Sequence, residues 1–188
     1  MVGVNTYVQQ LAFNGKTYTK GSVVDLFSKF SIVAQDFPFK KFPEAKDLPT
    51  RDWAGADGAD VYIPKNIPMK HYEIEVLFLC TGTEDTIRKN ISDFINYICG
   101  RDENAVGGRL AIYNEHTGIG RKDVVVSKID NELFFVESSD PDAVARFRVK
   151  FWVYDPVTDV VPIYTQDNEG VSNLYFAENE QENNAGTD

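Results

Sequence analysis

From His71 to Cys80 the chain alternates, with Tyr72, Ile74, Val76, Phe78 and Cys80 on one side and His71, Glu73, Glu75, Leu77 and Leu79 on the other. That period of two belongs to a β-strand with one buried face. The second face begins polar and ends apolar, so something must cover Leu77 and Leu79, and the next element along the chain is the first candidate. It is a helix from about Glu84 to Cys99, because Ile87, Ile91, Phe94, Ile95 and Ile98 fall on one helical stripe. Thr83 is placed as N-cap, Glu84 and Asp85 complement the positive helix end, and Gly100 can close the last turn. A second long strand follows from Ala145, Phe147, Val149, Phe151 and Val153, which alternate against Val144, Arg146, Arg148, Lys150, Trp152 and Tyr154.

Weaker patterns fill the rest. Tyr7 to Tyr18 reads as a hairpin turning at Asn14-Gly15, because Asn-Gly supplies the positive φ of a tight turn. Gly21 to Val33 has apolar spacing that suits a strand pair or a short helix, and is read as extended. Arg109 to Glu115 and Lys122 to Ile129 flank a Thr117-Gly-Ile-Gly120 turn as a further hairpin, and Leu133 to Val136 is a short strand. Between Gln35 and Asn66, Pro38, Pro43, Pro49 and Pro64 with Gly55 and Gly58 deny regular structure to most of the segment. A loop of that length in a compact domain binds something or packs on a neighbour, and Phe37, Phe39, Phe42 and Trp53 favour packing. The expected architecture is α+β, mainly β: an antiparallel β-sandwich or barrel-like domain flanked by one amphipathic helix, about 84–99, with a long loop in the N-terminal half.

Composition places this domain at residues 1–164. The chain has 188 residues, enough for one domain with a substantial core, and its 13% aromatic content suits a strand-rich globule. Of the net charge of −10, −6 lies in residues 165–188, which contain no Lys or Arg and read as an acidic, mobile tail in which Val171, Leu174, Tyr175 and Phe176 could dock a short segment. The body lacks the basic footprint of a sequence-specific nucleic-acid binder. Cys80 and Cys99 read as reduced thiols. No apolar run approaches a membrane span and no secretory signal opens the chain, so synthesis in the cytoplasm and no membrane partner are expected.

Candidate chemistry is sparse. His71 and His116 are far apart and neither sits in a ligand-spaced pair, so no metal is expected. Asp57-Gly58-Ala59-Asp60 lacks the alternating ligands of a calcium loop and reads as a glycine-permitted turn. Gly118-Ile119-Gly120 leads into a strand rather than a helix, which argues against phosphate cradling. Asp155 and Asp159 flank a proline turn with no candidate base or oxyanion donor nearby, and no catalytic residue or cofactor is assigned. The clearest charge pattern is a pair of stripes, basic at Arg146, Arg148 and Lys150 and acidic at Glu73 and Glu75. Paired strands would bring them into cross-strand ion pairs; otherwise they would face a neighbouring copy.

The segment Asp47-Leu-Pro-Thr-Arg-Asp-Trp-Ala-Gly-Ala-Asp-Gly-Ala-Asp-Val-Tyr62, the strand to Cys80, the helix from Glu84 and the late strand ending at Tyr154-Asp155-Pro156 carry a resemblance. In that order they resemble the N-terminal domain of the distal tail protein of long-tailed phages, itself similar in fold to tail tube proteins. The resemblance implies a non-enzymatic virion subunit in a hexameric ring around a central channel, assembled in the bacterial cytoplasm with other tail proteins. DNA would at most pass through that channel. Many distal tail proteins carry a second, carbohydrate-module-like domain, for which this chain leaves no room. The subunit-interface candidates are Phe37, Phe39, Phe42, Trp53, Glu73, Glu75, Arg146, Arg148 and Lys150, and deletion of Phe37 to Trp53 is expected to leave a folded monomer. The alternative is a β-sandwich ligand-binding module, such as a carbohydrate-binding or adhesin domain, using Trp53 and other exposed aromatics.

Overall fold

A computed structural model of the chain describes residues 5–55, 57–130, 134–136, 143–166 and 172–179. The strands are β1 (Thr6–Phe13), β2 (Tyr18–Asp25), β3 (Ile32–Ala34), β4 (Thr50–Asp52), β5 (Ala59–Val61), β6 (Tyr72–Gly82), β7 (Arg109–Asn114), β8 (Ile119–Ile129), β9 (Phe134–Val136), β10 (Ala143–Val153), β11 (Asp159–Gln166) and β12 (Ser172–Asn179). The helices are α1 (Leu26–Phe30) and α2 (Glu84–Ile98). The main sheet runs β2-β1-β7-β8-β10-β6-β3, antiparallel throughout, with β9 also paired to β10. This is the α+β, mainly β architecture that the alternation predicts.

Its centre is the pairing of the two strands with the clearest period. β10 and β6 are in continuous register from Ala143 opposite Gly82 to Val153 opposite Tyr72. Directly opposite residues share a face, so Ile74, Val76, Phe78 and Cys80 join Ala145, Phe147, Val149 and Phe151 in one buried layer. α2 covers that layer. Its stripe of Ile87, Ile91, Phe94 and Ile98 is buried, at roughly 1.5–3 kcal/mol per side chain relative to exposure. Phe94 meets Phe78 at 5.1 Å and Phe147 at 5.9 Å between ring centroids. Thr83 caps the helix as expected, and Gly100 takes a φ of 65° beyond Cys99.

The helix therefore lies on the Phe78 side and does not cover Leu77 and Leu79. Those two remain half-buried on the other face, directly opposite Arg148 and Arg146 of β10. Long basic side chains at those positions can lay their apolar stems over the leucines while keeping the charge in water.

Two further corrections concern local structure. Gly21 to Val33 is not extended throughout: Asp25 accepts hydrogen bonds from the amides of Phe27 and Ser28, starting α1, and Ser31 at a φ of 54° stops it. The chain also does not leave regular structure at 164, because Ser172–Asn179 returns antiparallel to Asp159–Gln166. The β11–β12 hairpin packs Val160 and Phe176 on Tyr7, Leu11 and Ala111, on the face opposite α2, as a second layer over part of the sheet. Polar contacts fasten it. Lys122 Nζ lies 2.9 Å from Glu178 Oε2 and Lys20 Nζ 3.0 Å from Glu178 Oε1, and Arg121 pairs with Asp159. Beneath the hairpin, within the main sheet, Tyr18 of β2 donates to Asp123 of β8 at 2.6 Å, and burial together with that carboxylate pushes the phenol pKa up to about 12.

Candidate functional site

The segment from Gln35 to Lys70 divides at its root. Phe37 and Phe39 turn inward and are 1% and 6% exposed, with Phe37 at 6.1 Å from Phe151 and 6.2 Å from Phe78. As interface candidates these two are corrected, since the protomer's own core uses them. The root is closed by a bridge between Ala45 and Met69, with Lys46 N donating to Pro68 O at 2.8 Å and Lys70 N to Glu44 O at 2.7 Å. Beyond it the chain forms an arm ending in the small hairpin β4–β5, where Arg51 stands opposite Asp60.

The arm carries its apolar side chains outside. Phe42 at the root is 85% exposed, Tyr62 70% and Ile63 67%, and Val61 and Ile67 are exposed too. Trp53 is 46% exposed, held by its indole N–H donating to Asp60 Oδ2 at 2.8 Å and by the Arg51 guanidinium 3.6 Å from its ring. No described residue from 40 to 70 belongs to either core cluster. Scattered apolar residues on a surface need no explanation, but a projecting arm that gathers this many is unusual for a surface that meets only water. Tyr62 and Ile63 were not among the sequence candidates. The run Val61-Tyr62-Ile63 between Asp60 and Pro64 was the available signal.

The arm root is tied to the body by a buried arginine that sequence reasoning also missed. Arg121 donates through Nη2 to Lys40 O at 2.9 Å and through Nη1 to Gly120 O at 3.0 Å, and it pairs with Asp159. One side chain thus joins the arm root, β8 and the C-terminal hairpin. Its Nε is buried with no partner among the described residues.

The charge stripes meet within the protomer. Lys150 stands directly opposite Glu75, with Nζ 3.4 Å from Oε2, and Arg148 Nη1 lies 3.5 Å from Glu75 Oε1. Glu73 accepts instead from Ser127 Oγ at 2.7 Å. Arg146 is exposed opposite Leu79 and has no ion-pair partner among the described residues. At the end of this outer face His71, Trp152 and Tyr154 form an aromatic cluster, His71 lying 5.3 Å from Trp152 and 5.7 Å from Tyr154. Among the described residues no group of three or more His, Cys, Asp or Glu is gathered to hold a metal. Burial raises both the Cys80 and the Cys99 thiols, opposite to the direction a nucleophilic thiolate requires. No described helix is long and apolar enough to cross a membrane.

The fold thus defines a class, a mainly β domain with one long covering helix, a docked terminal hairpin and an exposed apolar arm. No family model matches the chain and no curated protein matches it. Among solved structures it is similar to the Dit protein of phage SPP1, described as a paradigm of the hub adsorption apparatus in phages infecting Gram-positive bacteria. The sequences are 16% identical, the TM-score is 0.44, and the match covers 85% of this chain and 54% of that one. The chain therefore spans about half the length of that structure.

Proposed function

We propose that this protein is a non-enzymatic structural subunit of a phage or prophage-derived tail, forming a closed ring around a central channel as a distal tail or tube subunit. The observation that carries the reading is the arm, which holds Trp53, Tyr62 and Ile63 out from a body that already has a complete core. Cyclic rings are built from head-to-tail contacts between unlike surfaces, and an arm reaching from one subunit to the next is such a contact. The tail context comes from the resemblance carried by residues 47–80 and the elements after them. The aromatic cluster of exposed His71 and Tyr154 with half-buried Trp152 favours the second reading, a glycan-binding module, whereas Trp53 already has Arg51 on its ring.

Size-exclusion chromatography with light scattering over a wide concentration range, followed by negative-stain imaging, tests the reading. A ring-shaped oligomer is expected. The arm can be removed without cutting the core by replacing residues 46–68 with a two-residue Asn-Gly turn between Ala45 and Met69, which already lie side by side. Deletion of Phe37 to Trp53 would instead remove two core phenylalanines. The armless chain should be a folded monomer. An intact chain that stays monomeric at every concentration would sink the ring, and glycan-array binding lost on Trp152→Ala would favour the module.

A further inference from the structure

If the arm reaches a neighbour, the neighbour must present a surface that accepts it, and the chain carries one whose charge and apolar content are complementary. The hairpin from Asp47 to Asp60 has four aspartates and one arginine, and Asp52 and Asp57 at its tip are exposed without an ion-pair partner among the described residues. On the body, the outer face of β6, β10 and the C-terminal half of β8 is left uncovered by the described elements, while the β11–β12 hairpin covers the Gly120–Lys122 end of β8. α2 lies on the other side, and the β11–β12 hairpin sits over Tyr7, Leu11 and Ala111.

That face has an internal imbalance. Lys150 and Lys128 stand directly opposite each other across β10 and β8, both exposed on this side or partly so. Like charges in directly opposite positions are unfavourable within a sheet. Arg146 and Arg148 extend the same row, while Glu75 is the one carboxylate that pairs with it among the described residues. Between the charges lie the half-buried Leu77 and Leu79, an apolar strip flanked by the stems of Arg146 and Arg148. A surface with excess positive charge around an apolar strip calls for an acidic, aromatic partner, and the arm tip has that composition.

We infer that the acidic tip of one copy's arm docks on the Arg146–Lys128 side of the outer sheet face of the next copy. This rests on the ring-subunit reading and adds the acceptor to it. The contact is heterologous, so repetition around an axis closes a ring and leaves neither surface unused. Opposite charges at the two ends also set the direction in which subunits join, because arm against arm and face against face are both repulsive.

A charge swap tests it. One variant carries Asp52→Lys and Asp57→Lys, and a second carries Arg146→Glu and Lys128→Glu. All four positions are exposed, and circular dichroism melts should match the parent. Each variant alone should lose assembly by light scattering at concentrations where the parent is oligomeric. An equimolar mixture should regain it, because the lysine arm meets the glutamate face and the native arm meets the native face. A single chain with all four changes should also assemble. Single variants that assemble like the parent overturn this acceptor surface while leaving the ring reading intact, whereas a parent that never assembles overturns both. Binding of a labelled DNA duplex to the parent, abolished by the face changes alone while assembly persists, would reassign the face to a polyanion.

Discussion

The backbone of Gly120 in β8 lies against the carbonyl of Val160 in β11 so closely that a methyl group on Gly120 would collide with that oxygen and reach Val160 Cγ2 at 2.7 Å. The glycine is required by this approach, not by a left-handed backbone, since Gly120 is not among the glycines at positive φ. Gly120→Ala should displace the β11–β12 hairpin, at a cost typical of overpacking, about 1–3 kcal/mol. Chemical denaturation gives the loss, and limited proteolysis should now cut between residues 159 and 179. Unchanged stability with full protection of that segment would show that the hairpin does not dock on β8.

The same hairpin should respond to acid. Burial opposes ionisation of Glu178, but hydrogen bonds and attraction from Lys122 and Lys20 outweigh it and hold the carboxyl below its ordinary value of 4.5. A depressed folded-state pKa stabilises the protein above the unfolded-state pKa, and that stability is lost as pH falls through the folded value. Denaturation midpoints of the parent should therefore drop as pH is lowered below about 4.5, beyond the drop shown by Glu178→Gln. At pH 7 the variant should be the less stable of the two. Parallel curves for parent and variant from pH 7 to 3 would remove Glu178 from the hairpin's attachment.

Two phenylalanines five residues apart should behave as opposites. Phe37→Ala opens a cavity among Phe39, Phe78 and Phe151 and should cost about 3–5 kcal/mol. Phe42→Ser touches a side chain that is almost wholly exposed and should leave the melting temperature within error, while weakening self-association measured by sedimentation. A large stability loss from Phe42→Ser would mean that the arm packs on its own body.

Glu75 is the shared partner of Arg148 and Lys150, and all three side chains are well exposed. Coupling between Glu75→Gln and Lys150→Met in a double-mutant cycle should be about 0.2–1 kcal/mol and should fade in molar salt. Strict additivity at low salt would show that the cross-strand pair contributes nothing.

The long strands and α2 are legible in the sequence because their periodicity reports a local fact, which side chains share a face. Tyr72 to Cys80, Ala145 to Val153 and the Ile87–Ile98 stripe are buried as that periodicity requires, and the Thr83 cap depends on neighbours within one turn. Which partner a face receives is a long-range matter. α2 lies on Phe78 and not on Leu77 because the aromatic layer of β6 and β10 offers it far more apolar surface, while Arg146 and Arg148 stand across from the leucines. The loop from Gln35 has no period, so identical phenylalanines at 37, 39 and 42 carry no mark of inside or outside. Their places follow from the closed bridge at Ala45 and Met69 and from the room beside Phe151. The terminal hairpin was hidden for a related reason: its net charge resembles that of a solvated tail, and only Lys20, Lys122 and Arg121, far away in sequence, supply the charges that hold it. The sequence by itself determined a mainly β domain with one amphipathic helix, through residue-to-residue periodicity. The tertiary structure decided which aromatics remain outside the core, because that depends on which distant surfaces the core leaves uncovered.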